Sequence, residues 1–140
     1  MPGLLNRLLP KVISPKTHAV MDYIDAGTSF VAGAILRRKN PRASNAAFAL
    51  GASILANALM TDYPLGVFRH YSFRVHGALD YGVAAASAAM PRLLGIEDMP
   101  EARYFKLQGT GEWLIAGLTD YNDTTGARRR SRLFQHRRAA

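Results

Sequence analysis

Four helix-length apolar stretches, separated by short polar connections, account for most of the chain. Their spacing predicts α-helices over residues 16–36, from 41 or 42 to 61, from 71 or 72 to 95, and over 100–119. Proline fits the first turn of a helix, as at Pro41, whereas Pro91 is expected to kink or weaken the last turns of the third helix. The pattern therefore predicts an all-α protein.

The second pair of stretches repeats the first at an offset of 58 residues. The repeated polar and aromatic pairs are His18/His76, Asp22/Asp80, Tyr23/Tyr81, Thr61/Thr119, Asp62/Asp120 and Tyr63/Tyr121. A period of this length, with two helices in each copy, predicts a duplicated helical hairpin. We expect one domain, residues 1–140, in which hairpins 16–66 and 71–121 form a four-helix bundle with a pseudo-two-fold axis.

Charge and composition narrow the class of protein. The net charge is +8. The absence of cysteine from the sequence excludes disulfides and thiolate metal sites. The 18 Lys and Arg residues lie in the tails, in the connections and towards the ends of the predicted helices, outside their apolar central runs, so no cationic helix face suited to specific nucleic-acid binding is present. Cations confined to the flanks favour transmembrane helices. The mean hydropathy of -0.05 is lowered by polar tails, and the Ala-rich and Gly-rich stretches also suit a soluble bundle.

The two ends of the chain differ from the repeats. Residues 1–15 predict a short amphipathic segment on a membrane surface or against a partner. Residues 122–140 form a basic tail suited to anionic lipid headgroups or an acidic partner. In an up-down bundle, 11 Lys and Arg lie on the side of the termini and 7 on the other. This asymmetry favours cytoplasmic termini in a bacterial inner membrane.

The repeated motifs resemble a known family. An apolar helix that begins with His-x-x-x-Asp, then a helix that ends in Thr-Asp-Tyr, then the same pair again, is similar to the SPW-repeat family of small bacterial membrane proteins. The resemblance covers residues 13–121. Where that family has Ser-Pro-Trp, this chain has Met90-Pro91-Arg92 in the second copy and Ala32-Gly33-Ala34 in the first. The resemblance implies four transmembrane helices and no particular reaction.

The repeated polar residues are expected to gather at one end of the bundle. His and Asp four residues apart share a helical face, and intramembrane ionisable residues pair with one another or mark function. One interpretation is a structural clamp in which Asp62 and Asp120 accept hydrogen bonds from the histidines or from exposed N–H groups at helix starts, with Tyr23, Tyr63, Tyr81 and Tyr121 nearby. Another is a Zn, Fe or Mn site. Its candidate ligands are His18, Asp22, Asp62, His76, Asp80 and Asp120.

Two further acids, Asp25 and Glu112, lie inside the apolar stretches without a counterpart in the other copy. A function specific to one copy would involve them, and a proton or ion relay through the repeated cluster is a third interpretation. No nucleophile motif or phosphate-binding glycine loop is present. We therefore expect a non-enzymatic structural or accessory membrane protein that contacts lipid, other subunits or a second copy. The alternative is a metal-binding bundle with a redox or relay role.

Overall fold

The structure, a computed structural model, describes residues 9–122. It is mostly helical, as predicted. The helices are α1 (Pro15–Leu36), α2 (Pro41–Met60), α3 (Phe73–Leu94) and α4 (Ala102–Leu118). Two short strands, β1 (Thr61–Asp62) and β2 (Tyr71–Ser72), lie between α2 and α3. Each predicted helix end lies within two residues of the observed one. Most of the predicted amphipathic segment and basic tail lies outside the described residues, and residues 9–14 contain no helix.

Polar side chains define the helix starts. Ser14 and Ser72, which are themselves 58 residues apart, accept hydrogen bonds from Thr17 N and Val75 N at the starts of α1 and α3. These contacts satisfy backbone N–H groups that have no partner inside the helix. At the other end of α3 the helix continues through the buried Pro91 and stops at Gly95, whose φ of 66° is a conformation that glycine adopts without strain.

The helices pack as two hairpins, α1 against α2 and α3 against α4, with α2 also packed on α3. Glycine permits the close approach within the second hairpin. A Cβ built on Gly109 would lie 2.9 Å from the backbone oxygen of Ala84 and 2.9 Å from the backbone nitrogen of Ala88. A Cβ built on its repeat equivalent, Gly51, would lie 3.0 Å from Ser29 Cβ. Small residues therefore set the spacing between the helices of each hairpin.

Extended backbone ties the two hairpins together at one end of the bundle. β1 and β2 pair in parallel, with Thr61 opposite Tyr71. The equivalent contact is the parallel bridge between Ile13 and Thr119. The sequence pattern did not predict either pairing. Both fix the backbone of a repeated threonine directly beyond the end of a helix, where its side chain faces the interior.

Replacing Gly109 by alanine is expected to lower the free energy of unfolding by about 1–3 kcal/mol, because the new methyl group meets immobile backbone atoms. Gly111 is the matched control, two residues along the same helix, since a Cβ there meets nothing within 4 Å. Its replacement by alanine should be neutral or stabilise the helix by up to about 1 kcal/mol. Equilibrium unfolding of the two variants compares them, and equal stability would contradict this account of the packing.

Candidate functional site

Two repeated His/Asp pairs meet in the interior of the bundle. His18 and Asp22 lie one turn apart on α1, and His76 and Asp80 lie in the same way on α3. Their exposed fractions are 0, 5, 1 and 2 %, respectively. The two imidazole Nε2 atoms are 2.9 Å apart. Each hairpin therefore contributes half of a site that neither could form alone.

The carboxylates contact both imidazoles. Asp80 Oδ2 lies 3.2 Å from His18 Nε2 and 3.2 Å from His76 Nε2. Asp22 Oδ1 lies 3.2 Å from His18 Nε2, and its Oδ2 lies 3.3 Å from His76 Nε2. The ligand atoms of His18, His76 and Asp80 all lie within 4.8 Å of one another. Nitrogen and oxygen donors therefore converge on a single point in the interior.

Threonine hydroxyls fix the other edge of each imidazole. His18 Nδ1 lies 2.8 Å from Thr119 Oγ1, and His76 Nδ1 lies 2.7 Å from Thr61 Oγ1. Each threonine donates its own hydrogen to the carbonyl four residues earlier, at 2.7 Å for Thr119 and 2.6 Å for Thr61. The oxygen must then accept from the ring, so both Nδ1 atoms carry hydrogen. The lone pairs of the neutral rings are therefore on Nε2.

The carboxylates are oriented by neutral donors. Tyr63 donates to Asp22 Oδ2 at 2.8 Å, and Tyr121 donates to Asp80 Oδ2 at 2.7 Å. Asn57 Nδ2 donates to Asp80 Oδ1 at 2.9 Å. These groups form a second layer around the converging donors. Such a layer orients ligands and fixes the tautomer of a histidine.

Both tyrosines act as hydroxyl donors throughout the physiological pH range. Burial raises the pKa of Tyr63, and the adjacent charge of Asp22 raises it further. Burial likewise raises the pKa of Tyr121, with Asp80 as the next contribution. Ionising either phenol would place a second negative charge against a carboxylate in a poorly solvated site. The hydrogen bonds to Asp22 and Asp80 are therefore permanent features of the folded protein.

The structure brings together His18, Asp22, His76 and Asp80 but leaves the other two predicted acids outside. Asp62 is exposed and accepts a hydrogen bond from Arg69 Nη1 at 3.1 Å. Asp120 is partly buried and accepts from the backbone nitrogen of Asn122 at 3.0 Å. The expectation that these two carboxylates bind the histidines is corrected, because Thr61 and Thr119 make those contacts.

The four predicted tyrosines also separate into two groups. Tyr63 and Tyr121 contact the cluster, whereas Tyr23 donates to the carbonyl of Leu65 at 2.9 Å and lies outside it. Tyr81, the repeat equivalent of Tyr23, is partly buried. The residue that follows each repeated Asp in α1 and α3 therefore lies beside the site, and only the tyrosine of each Thr-Asp-Tyr triplet orients a carboxylate.

Charge balance limits the chemistry that this arrangement permits. The ring centroids of His18 and His76 are 5.0 Å apart and their Nε2 atoms 2.9 Å apart, so the Nε2 corners face each other. Each Nε2 atom also lies 3.2–3.3 Å from both carboxylates, so an N–H on either ring can point to a carboxylate. Two neutral imidazoles and two carboxylates carry two negative charges, which is costly in the interior unless both rings are protonated or a cation is bound. A divalent cation bound by the two lone pairs would make the cluster neutral.

Two further residues of the site, Asn57 and Tyr71, were not predicted from the sequence. Asn57 bridges the two helices by donating to Asp80, and Tyr71 donates to Asn57 Oδ1 at 2.6 Å. Their repeat equivalents are Ile115 and Ile13, so the repeat gives no indication of them. An amide inside the uncharged run of α2 was the available signal, since a buried amide requires hydrogen-bond partners.

Comparison of the chain with family models, with curated proteins and with solved structures finds no match in any of the three. The resemblance to the SPW-repeat family therefore stays a prediction.

Proposed function

We propose that this protein is a small integral membrane protein of structural or accessory type, in which one divalent metal ion joins the two helical hairpins. The proposed ligands are His18, His76 and Asp80, with Asp22 as the fourth candidate. The ion would neutralise the two carboxylates and crosslink α1 to α3. Imidazole and carboxylate ligands suit Zn, Mn or Fe.

The proposal depends on one observation. The Nε2 atoms of His18 and His76 lie 2.9 Å apart, and both are in reach of two carboxylates. The three separations among His18 Nε2, His76 Nε2 and Asp80 Oδ2 are 2.9, 3.2 and 3.2 Å. They are close to the distance of about 3.3 Å expected between neighbouring ligands of a tetrahedral ion with bonds of about 2.0–2.1 Å. Both Nδ1–H groups are already held by Thr61 and Thr119, as is usual for metal-binding histidines.

Burial favours a structural ion over a catalytic one. All four candidate ligands are at least 95 % buried, and a catalytic centre keeps a position open to substrate. The ligands come from both hairpins, so the ion would hold the halves of the bundle together. These features support a non-enzymatic role.

The distribution of polar residues supports a membrane location. Within residues 9–122, α1 and α2 are long and apolar enough to cross a membrane. On α1 the buried face carries His18, Asp22 and Ser29, whereas the exposed face carries Ile24, Val31 and Ile35. A helix of a water-soluble bundle has the opposite arrangement. Apolar residues facing outward and polar residues paired inside are typical of helices in lipid.

The orientation and partners follow from charge. We propose cytoplasmic termini in a bacterial inner membrane, because 11 of the 18 Lys and Arg residues lie on the side of the termini. The basic termini would contact anionic lipid headgroups. The small-residue faces and the basic termini are the surfaces through which subunits of a larger membrane complex, or a second copy of the chain, would associate.

Elemental analysis of the purified, membrane-extracted protein tests the metal proposal. We expect about one transition-metal ion per chain. Dialysis against a chelator should lower the unfolding temperature, and adding back Zn²⁺ or Mn²⁺ should restore it, since a ligand that binds only the folded state stabilises it. Less than about a tenth of an ion per chain, together with no response to either added metal, would show that the cluster is a metal-free clamp.

A further inference from the structure

A second polar cluster lies between α1 and α4, and the histidines are not part of it. Asp25 and Glu112 face the same groove, and Gln108 Nε2 donates to Asp25 Oδ2 at 2.6 Å. Glu112 is only 6 % exposed. These groups line an open groove of about 460 Å³, whose other walls include Met21, Ile24 and Leu107. That volume is typical of a small-molecule site.

The repeat allows the α1–α4 interface to be compared with an equivalent one. At the offset of 58 residues, its counterpart is the interface between α3 and α2. Its residues at the three polar positions are Val83 for Asp25, Leu50 for Gln108 and Ile54 for Glu112. The same scaffold is therefore built without these polar groups at the equivalent place. Their presence at one interface only is not required by the packing of the bundle.

Side-chain size also differs between the two interfaces. Tyr104 and Leu107 of α4 line the groove. The equivalent positions of α2 are Ala46 and Ala49. Correspondingly, α2 and α3 pack closely, and α1 and α4 do not approach to the same extent. Tyr104 spans the gap to α1, where its hydroxyl donates to Ser29 Oγ at 2.8 Å.

The charge of the groove defines what it can bind. Two carboxyl groups that line the same groove, one of them buried, retain one proton between them, because neighbouring carboxylates repel. One negative charge then remains, and no recorded ion pair within residues 9–122 joins Asp25 or Glu112 to a lysine or arginine. A buried charge without a counter-ion is costly. A ligand with one positive charge and an apolar body would compensate it.

We propose that the groove between α1 and α4 binds a lipophilic organic monocation, such as a protonated alkylamine, with its ammonium group at Asp25 and Glu112. The apolar body would lie along Met21, Ile24 and Leu107. Because the groove excludes His18 and His76, this proposal does not depend on the metal centre and can fail or succeed independently of it.

Octylamine is a suitable probe and octanol its neutral counterpart. Trp113, the only tryptophan in the chain, directly follows Glu112 and reports binding through its fluorescence. Titration of the full chain in nanodiscs, with empty nanodiscs subtracted, should give saturable octylamine binding at least about tenfold tighter than octanol, as expected for a charge-assisted contact. Equal affinity for the amine and the alcohol would overturn the proposal.

Three variants locate the binding site. Asp25→Asn together with Glu112→Gln should weaken octylamine binding at least about tenfold by removing the charge. Glu97→Gln, at an exposed acid between α3 and α4, should leave it unchanged. Gly111→Leu, which fills the groove without altering a carboxyl group, should abolish binding even if the double variant does not fold. Undiminished binding by the Gly111→Leu variant would place the amine elsewhere and refute the assignment.

Discussion

Replacing both His18 and His76 by alanine is expected to reduce bound metal from about one ion per chain to less than about a tenth. The variant loses two of the three ligands in the converging group, and a carboxylate pair alone does not retain a first-row ion at this affinity. Where the free metal is about 100 times its dissociation constant, the lost binding alone lowers the free energy of unfolding by about 2.7 kcal/mol. Elemental analysis and thermal unfolding measure the two effects.

The chain provides a matched control for this experiment. Asp62→Asn together with Asp120→Asn alters two repeated acids in the same triplets as the threonines, yet neither side chain contacts the histidines. This double variant should keep its metal and lose little stability. If the histidine variant loses stability while the parent protein contains no metal, the cluster is a hydrogen-bonded clamp. Loss of metal in the aspartate variant would contradict the assignment of ligands.

The repeat alone was sufficient to predict the number of helices and the meeting of His18, Asp22, His76 and Asp80. Residues at the same offset in two equivalent hairpins take equivalent places, and a spacing of four keeps His and Asp on one helical face. The capping serines at 14 and 72 obey the same offset and could have been found in the same way.

Asp62 was predicted to face the interior because the predicted second helix ended at residue 61, one residue beyond the observed end of α2 at Met60. At Thr61 the backbone is already extended, with ψ near 140°. In extended backbone, successive side chains point to opposite faces. Thr61 is therefore buried, Asp62 exposed and Tyr63 buried. If the helix continued through Thr61, Asp62 would face the interior. In the observed extended backbone, Thr61 faces the interior instead. Nothing in the composition of Thr-Asp-Tyr distinguishes the two conformations.

The differences between the copies were visible in the sequence, but their meaning was not. Asp25 and Glu112 were recognised as unmatched acids, since Val83 and Ile54 replace them in the other copy. Their position in the same groove depends on the rotation of α1 and α4 about their axes. That rotation is set by packing across the whole bundle and is not encoded by any local pattern. Comparison of the two copies therefore identified Asp25 and Glu112 as unusual residues. Only the fold shows that they face the same groove.

Placing a charge on the outward face of α1 is expected to distinguish a membrane protein from a soluble one. Val31 and Val67 are equally exposed, at 60 % each, but Val31 lies within α1 and Val67 in the connection between β1 and β2. In lipid, Val31→Arg should cost about 2.5–3.5 kcal/mol on insertion and greatly reduce the integrated fraction. Val67→Arg should change it little, because that connection lies outside the proposed spans.

In water both substitutions would be nearly neutral, since exposed positions tolerate change to within about 0.5 kcal/mol. The measurement is the fraction of each protein that stays with membranes after washes in high salt and alkaline carbonate. Retention of the parent protein and of Val67→Arg, with loss of Val31→Arg, is the expected result. Release of the parent protein by salt alone, or equal retention of both variants, would refute the transmembrane arrangement. The outward apolar face of α1 would then require burial against another protein instead of lipid.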